Sequence, residues 1–140
     1  MSDRHKQEFL ALNTVLLPLW AAMILFPKSN LTRRLMRMSS PLLTGMSAVY
    51  AGLLARAAIQ EGLPRDPTDG DAWRHLLASP QGFLAGWTHY VVFDLFVGRW
   101  IWQTARDEGR RCRLALTFAM MAGPIGLLIF DLQRRLAPRT

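Results

Sequence analysis

One stretch, residues 83–102, constrains the fold of this chain more than any other. It reads FLAGWTHYVVFDLFVGRWIW, and its twenty residues are enough for a helix that crosses the hydrocarbon core of a bilayer. It nevertheless contains His89, Asp94 and Arg99. An ionisable group in a membrane helix costs roughly 2.5–3.5 kcal/mol, so such groups usually face protein or a water-filled cavity. The other apolar segments are therefore expected to cover them.

Helical periodicity places a row of mostly aromatic residues on one face of this stretch. His89 flanks this face on one side and Asp94 on the other, because five residues correspond to about 140° around a helix axis. We therefore expect His89 and Asp94 to border one elongated cavity between helices, with Gly86 leaving room beside its backbone. Arg99 points away from the face and is expected to reach the membrane interface. The face consists of Phe83, Gly86, Tyr90, Phe93, Val97 and Trp100.

The rest of the chain has the composition of a membrane protein. Hydrophobic residues make up 51% of the 140 residues, and they occur in long blocks separated by basic connections. The formal net charge is +7, and its position beside apolar blocks favours membrane lipids over nucleic acid as the partner. The single Cys112 excludes an internal disulfide, and no metal site or cofactor is expected.

Hydropathy predicts an all-α fold, a single integral membrane domain over residues 1–140. Its four transmembrane helices are expected near residues 9–26, 38–58, 83–102 and 114–132, with no β-sheet. Pro18 is a candidate kink, and so is Pro124, which interrupts the last block. A short interfacial helix is expected over residues 72–78, and Ser79 and Pro80 should start the third span.

Four spans would put both termini on one side of the membrane. The two short connections, residues 27–37 and 103–113, would then share the other side, and each holds four Lys or Arg residues. We expect these basic connections to be cytoplasmic, as in a protein of the bacterial inner membrane. Asp94 is expected to hydrogen-bond a polar group on another helix. The candidate partners are Asn13, Thr14, Thr44 and Ser47.

Three sequence motifs resemble the abscisic-acid-deficient-four-like family. They are Gly-Trp-Thr-His-Tyr at residues 86–90, Phe-Asp-Leu-Phe-Val-Gly-Arg at residues 93–99 and Gly-Pro-Ile-Gly at residues 123–126. The resemblance implies a four-helix membrane protein related to neoxanthin synthesis, in which a carotenoid epoxide is opened and an allene is formed. It therefore implies a protein that binds or modifies a carotenoid or another isoprenoid within the bundle.

A carotenoid epoxide isomerase-like reaction needs an acid near the epoxide oxygen and a base for the departing proton. Asp94 as the acid and His89 as the base are the candidate catalytic pair, and Tyr90 is a further donor. Aromatic and small residues around them would hold the polyene. These candidate ligand-binding residues are Gly86, Trp87, Phe93, Phe96, Val97 and Trp100.

The same residues are also compatible with purely structural roles. His89 and Asp94 can be polar groups that lock the bundle, and the aromatic residues can be core or interface anchors. The alternative function is a small structural subunit of a larger membrane complex, photosynthetic or not, without catalysis. Haem or metal binding is poorly supported, since only His89 is an intramembrane ligand candidate.

Overall fold

A computed structural model describes residues 2–136, and all regular structure within that range is helical. The predicted all-α class is thus confirmed. The helices in chain order are α1 Asp3–Thr14, α2 Leu17–Leu25, α3 Asn30–Glu61, α4 Gly70–Ala78, α5 Pro80–Asp107, α6 Arg113–Met121 and α7 Gly123–Leu136.

Local signals in the sequence explain where these helices begin and end. The first apolar block divides at residues 15–16, and Pro18 lies in the first turn of α2, where its missing amide is tolerated. Ser79 Oγ accepts a hydrogen bond from the backbone N–H of Gly82 at 3.0 Å, and Pro80 follows in the first turn of α5. The expected start of α5 is therefore confirmed. The short helix expected over residues 72–78 is present as α4, which begins two residues earlier, at Gly70.

Three long segments form the centre of the molecule: α1 with α2, then α3, then α5. Segment α1–α2 runs parallel to α5, because His5 contacts Gln81 near the start of α5, whereas Trp102 Nε1 donates to the Pro27 carbonyl near its end at 2.8 Å. Helix α3 runs in the opposite direction: its Leu53 packs near Leu84, and its Ser40 meets Arg99.

Small residues allow the close approach of these helices. The indole of Trp20 in α2 lies against Gly98 of α5, where a Cβ atom would overlap the ring. Apart from Trp102, the interior face of α5 is made of small or aliphatic residues, and packing of this kind is typical of helices that associate in membranes. These residues are Leu84, Ala85, Thr88, Leu95, Gly98, Ile101 and Ala105.

The chain reverses direction between α6 and α7. Gly126 of α7 lies against the backbone of Ala115 and Ala119 in α6, so closely that a Cβ atom would overlap both. In one continuous helix Gly126 and Ala115 would be about 16 Å apart. Helices α6 and α7 therefore form an antiparallel hairpin, whose turn at Ala122 lies beside the middle of α5.

The hairpin corrects the prediction of a fourth span over residues 114–132. Pro124 begins a new helix running back to where α6 started, rather than kinking a crossing helix. Arg134 near the end of α7 accordingly binds Glu108 at the end of α5, with Nη2 and Oε1 2.6 Å apart. The two ends of the described chain thus lie at opposite ends of the helical assembly, contrary to the prediction that they share a side.

Two segments of the described chain are long and apolar enough to cross a membrane, Asp3–Leu25 and Asn30–Glu61. Helix α5 has the length, but His89, Asp94 and Arg99 lower its mean hydropathy. Helices α6 and α7 are each shorter than a span. A bundle of four transmembrane helices is therefore not confirmed. The two basic connections do lie at the same end, since Arg113 Nη2 donates to the Leu25 carbonyl at 3.0 Å.

Candidate functional site

The aromatic face of α5, defined by Phe83, Tyr90, Phe93 and Trp100, points out of the helical assembly. These four side chains are between 39% and 63% exposed, and Phe96 beside them is exposed to a similar degree. The sequence predicted instead that this face lines the bundle interior. The aromatic face points outward because the small residues on the opposite side of α5 are those that pack against α2 and α3.

His89 lies on this outer surface, about nine residues or 14 Å along α5 from its start. Its imidazole stacks on Phe93 with ring centroids 4.7 Å apart, contacts Tyr50 of α3 at 5.6 Å and meets the edge of Tyr90 at 6.4 Å. Within residues 2–136 the two nitrogen atoms of His89 have no protein hydrogen-bond partner. The imidazole thus presents its hydrogen-bonding nitrogen atoms to the outer surface.

Asp94 lies on another side of α5, where it contacts the α6–α7 hairpin. Its carboxylate lies against the backbone of Gly123, the first residue of α7. A Cβ atom at position 123 would overlap carboxylate oxygen Oδ1, so the close approach requires glycine. The expectation that Asp94 faces protein is met, but its neighbour is the Gly123 backbone and none of the four predicted side chains.

The Asp94 contact explains how a helix can begin in the middle of the assembly. The first amides of a helix have no partner within the helix, and they carry a partial positive charge. The Asp94 carboxylate lies beside Gly123, the first residue of α7, and complements that charge. Asp94 and the Gly-Pro-Ile-Gly motif are therefore parts of one structural unit.

The side chain of Trp87 contacts α1 and so connects α5 to that helix. Its Nε1 donates to Asn13 Oδ1 at 3.2 Å, and its ring lies 5.0 Å from that of Phe9. Asn13 in turn donates from Nδ2 to the Phe9 carbonyl at 2.6 Å. The expected interhelical role of Asn13 is present, and Trp87 has an anchoring contact beside its predicted role in ligand binding.

Arg99 also contacts protein. Its Nη1 donates to Ser40 Oγ at 2.8 Å and to Ser39 Oγ at 3.3 Å, both on α3. Ser39 is almost completely buried. Arg99 thus ties α5 to α3, in contrast to the predicted side chain that extends freely to the interface.

His89 and Asp94 do not share the apolar groove that the structure shows along α3. That groove lies between α1 and α3 and has a volume of about 730 Å³, and neither residue lines it. His89 faces Tyr50 of α3, whereas Asp94 faces Gly123 of α7. The structure therefore does not show the single cavity that was expected between them.

Sequence reasoning missed the groove and the hairpin. Gly45 and Gly52 open the groove, since a Cβ atom at either position would meet nothing within 4 Å. Their spacing of seven residues places them on one face of α3. This pattern in the sequence could have indicated the groove. The hairpin had a weaker signal, because Pro124 between two glycines fits a kink and a reversal equally well.

One comparison with known proteins gives a match. The sequence model of a protein family described as ABA DEFICIENT 4-like matches residues 7–130, which include the aromatic face, His89, Asp94 and the Gly123 turn. No curated protein and no solved structure matches the chain significantly.

Proposed function

The chain belongs to the ABA DEFICIENT 4-like family, and we propose on this premise that it is an integral membrane protein that binds a carotenoid or another long isoprenoid. The proposed site is the aromatic face of α5 around His89. Family membership supports a protein related to neoxanthin synthesis.

The exposed apolar surface supports a membrane location. In the two apolar segments that are long enough to span a bilayer, only 28% and 17% of the most apolar stretch is buried inside the protein. A core helix of a water-soluble protein would be mostly buried, and large contiguous apolar patches are rare on such proteins. Lipid contact accounts for this surface without further assumptions.

The charge distribution supports an orientation. The end that carries both basic connections has ten Lys or Arg residues in the described chain, and the other end has five. The positive-inside rule then puts the basic end in the cytoplasm and α4 on the opposite side. The ten are Lys28, Arg33, Arg34, Arg37, Arg106, Arg110, Arg111, Arg113, Arg134 and Arg135.

The observation that carries the proposal is the imidazole of His89. It is a polar group well inside a long helix, it is exposed among aromatic rings, and its nitrogen atoms have no protein partner in residues 2–136. Ionisable residues inside membrane segments usually mark functional sites, because lipid chains offer them no hydrogen bond. An oxygenated polyene has an apolar chain that can contact the aromatic rings and an oxygen atom that can hydrogen-bond to His89.

The chemistry that this site offers is isomerisation of a carotenoid epoxide. In such a step a base removes a proton from carbon, the epoxide C–O bond breaks, and the oxygen takes up a proton, so that no oxidant or reductant is needed. We assign the base to His89 and the proton donor to Tyr90, whose ring lies at its edge. Asp94, the acid expected from sequence, has the role of holding the start of α7.

The test is to express the full chain in bacteria that make carotenoids and to record the absorption spectrum of the purified protein. We expect a polyene to co-purify, and we expect Phe93→Ala to abolish it because Phe93 stacks directly on His89. Phe118→Ala is the matched control, since Phe118 is an exposed aromatic residue of α6 outside the face. Larger membrane subunits without pigment would contradict the proposal and favour the structural-subunit alternative.

A further inference from the structure

A groove runs between α1 and α3 on a side of the protein away from His89. Its walls are almost entirely apolar, and Gly45 and Gly52 leave it open along α3. It extends from Pro41 to Arg56, which is about 22 Å along a helix. One leaflet of the hydrocarbon core is about 15 Å thick, so the groove is long enough for a hydrocarbon chain that crosses a leaflet.

The groove continues into a polar cup at one end. The cup has a volume of about 400 Å³ and shares Glu8, Leu53 and Arg56 with the groove. Polar side chains from three helices complete it. They are Arg4 and His5 of α1, Gln60 of α3 and Gln81 of α5.

The charges in the cup are unequal. Arg4 Nε donates to Glu8 Oε1 at 3.0 Å, so the carboxylate in the cup already has a cationic partner. In the part of the chain that the structure describes, Arg56 has neither an acidic partner nor a hydrogen bond from its side chain. The cup therefore has a net positive charge, with an arginine that is free to bind an anion.

We propose that this groove and cup bind one anionic phospholipid of the membrane, with an acyl chain along α3 and the phosphate at Arg56. The polar cup lies near the end of α3, where head groups are found if α3 spans the bilayer. Gln60 and Gln81 supply amide donors for the remaining head-group oxygens. This site is separate from the aromatic face and does not depend on the function assigned to it.

Native mass spectrometry of the full-length protein tests the proposal. The protein is purified in detergent and titrated with phosphatidylglycerol or with zwitterionic phosphatidylcholine of the same acyl chains. We expect the first phosphatidylglycerol to bind about ten-fold more tightly than phosphatidylcholine, and we expect Arg56→Gln to remove that preference, because one charge-assisted contact is worth about this much. Arg65→Gln, at an exposed position in the connection before α4, is the matched control.

A second pair of variants tests the groove itself. Gly52→Leu fills it, and because a Cβ atom there meets nothing within 4 Å, the helix should tolerate the change. We expect about ten-fold weaker binding of the first lipid of either kind, while Ala51→Leu on an exposed neighbouring position binds as the unmodified protein does. The proposal would be overturned by equal affinities for the two lipids, or by an Arg56→Gln protein that keeps the preference for phosphatidylglycerol. It would also be overturned if Gly52→Leu were the only variant to lose a co-purifying polyene.

Discussion

The carboxylate of Asp94 in the middle of α5 lies against the backbone of Gly123, where α7 begins, so closely that a Cβ atom at position 123 would overlap Oδ1. This contact joins two motifs that are 29 positions apart in the sequence. It fixes the turn of the α6–α7 hairpin at about the height of the aromatic face along α5. The turn lies on a different side of α5 from His89. Together with the packing of Gly126 on α6 and the Arg134–Glu108 ion pair, this contact positions the C-terminal hairpin.

Asp94→Ala and Gly123→Ala are expected to destabilise the protein by disrupting the same contact. Removing a side chain that caps a helix costs about 0.5–2 kcal/mol, and a methyl group added at position 123 would displace the carboxylate. The double variant should therefore be little worse than either single variant, which thermal denaturation in detergent can measure. Gly45→Ala is the control, since its Cβ atom meets open space. Strictly additive losses would show that the contact is unimportant.

The hairpin predicts a specific membrane topology. In a chain with Cys112 replaced by alanine, cysteines introduced at Ser29 and Arg135 should react with a membrane-impermeant reagent from the same side. A cysteine at Thr68, in the connection before α4, should react from the other side. A single crossing helix over residues 114–132 would instead place Arg135 with Thr68. Labelling of intact and opened vesicles separates these results.

Much of the helical arrangement was predictable because its signals are local. Ser79 and Pro80 mark the start of α5 through a side-chain cap and a missing amide, both of which act within one turn. Asn13 was expected to bond to another helix as a partner of Asp94, and it does bond to another helix, although its partner is Trp87. In each case the type of side chain at the position already indicates the contact that it makes.

The hydrophobic pattern of α5 did not predict which side of the helix faces the protein interior. In a membrane an aromatic residue is as stable against lipid as against protein, so a periodic aromatic face does not indicate which side is buried. The smaller residues Ala85, Gly98 and Ala105 on the opposite side were the better indicator of the interior. The neighbour of Asp94 was not predictable either, because a glycine backbone leaves no side-chain signature.

Acidification should weaken the junction between α5 and α7. The pKa of Glu108 is lowered from its usual 4.5, mainly because Arg134 donates to its carboxylate, with a further contribution from Arg110. A lowered pKa means that the ionised form stabilises the fold fully above 4.5, and that this contribution is lost as the pH falls through the lower folded-state value.

Glu108→Gln tests this pH dependence. The unmodified protein should be more stable than the variant at neutral pH, and the difference should shrink below about pH 4.5 as Glu108 is protonated. Thermal denaturation between neutral and acidic pH measures it. Asp107→Asn controls for the loss of a carboxylate at the same end of α5. A difference that is constant with pH would contradict the assigned role of the carboxylate.

His89→Phe separates the apolar and polar contributions of the proposed carotenoid site. Phenylalanine retains a ring that can stack on Phe93 and contact Tyr50, but it removes both nitrogen atoms. We therefore expect the variant to bind a hydrocarbon carotene as the unmodified protein does, while its affinity for an oxygenated carotenoid falls by about two- to ten-fold, the worth of one hydrogen bond. Titration of each pigment by absorption or tryptophan quenching measures both affinities. Thermal stability should change little, because the imidazole is exposed and unbonded in the described chain. An unchanged preference for the oxygenated pigment would show that another group binds its oxygen, and a large loss of stability would assign His89 to the fold instead.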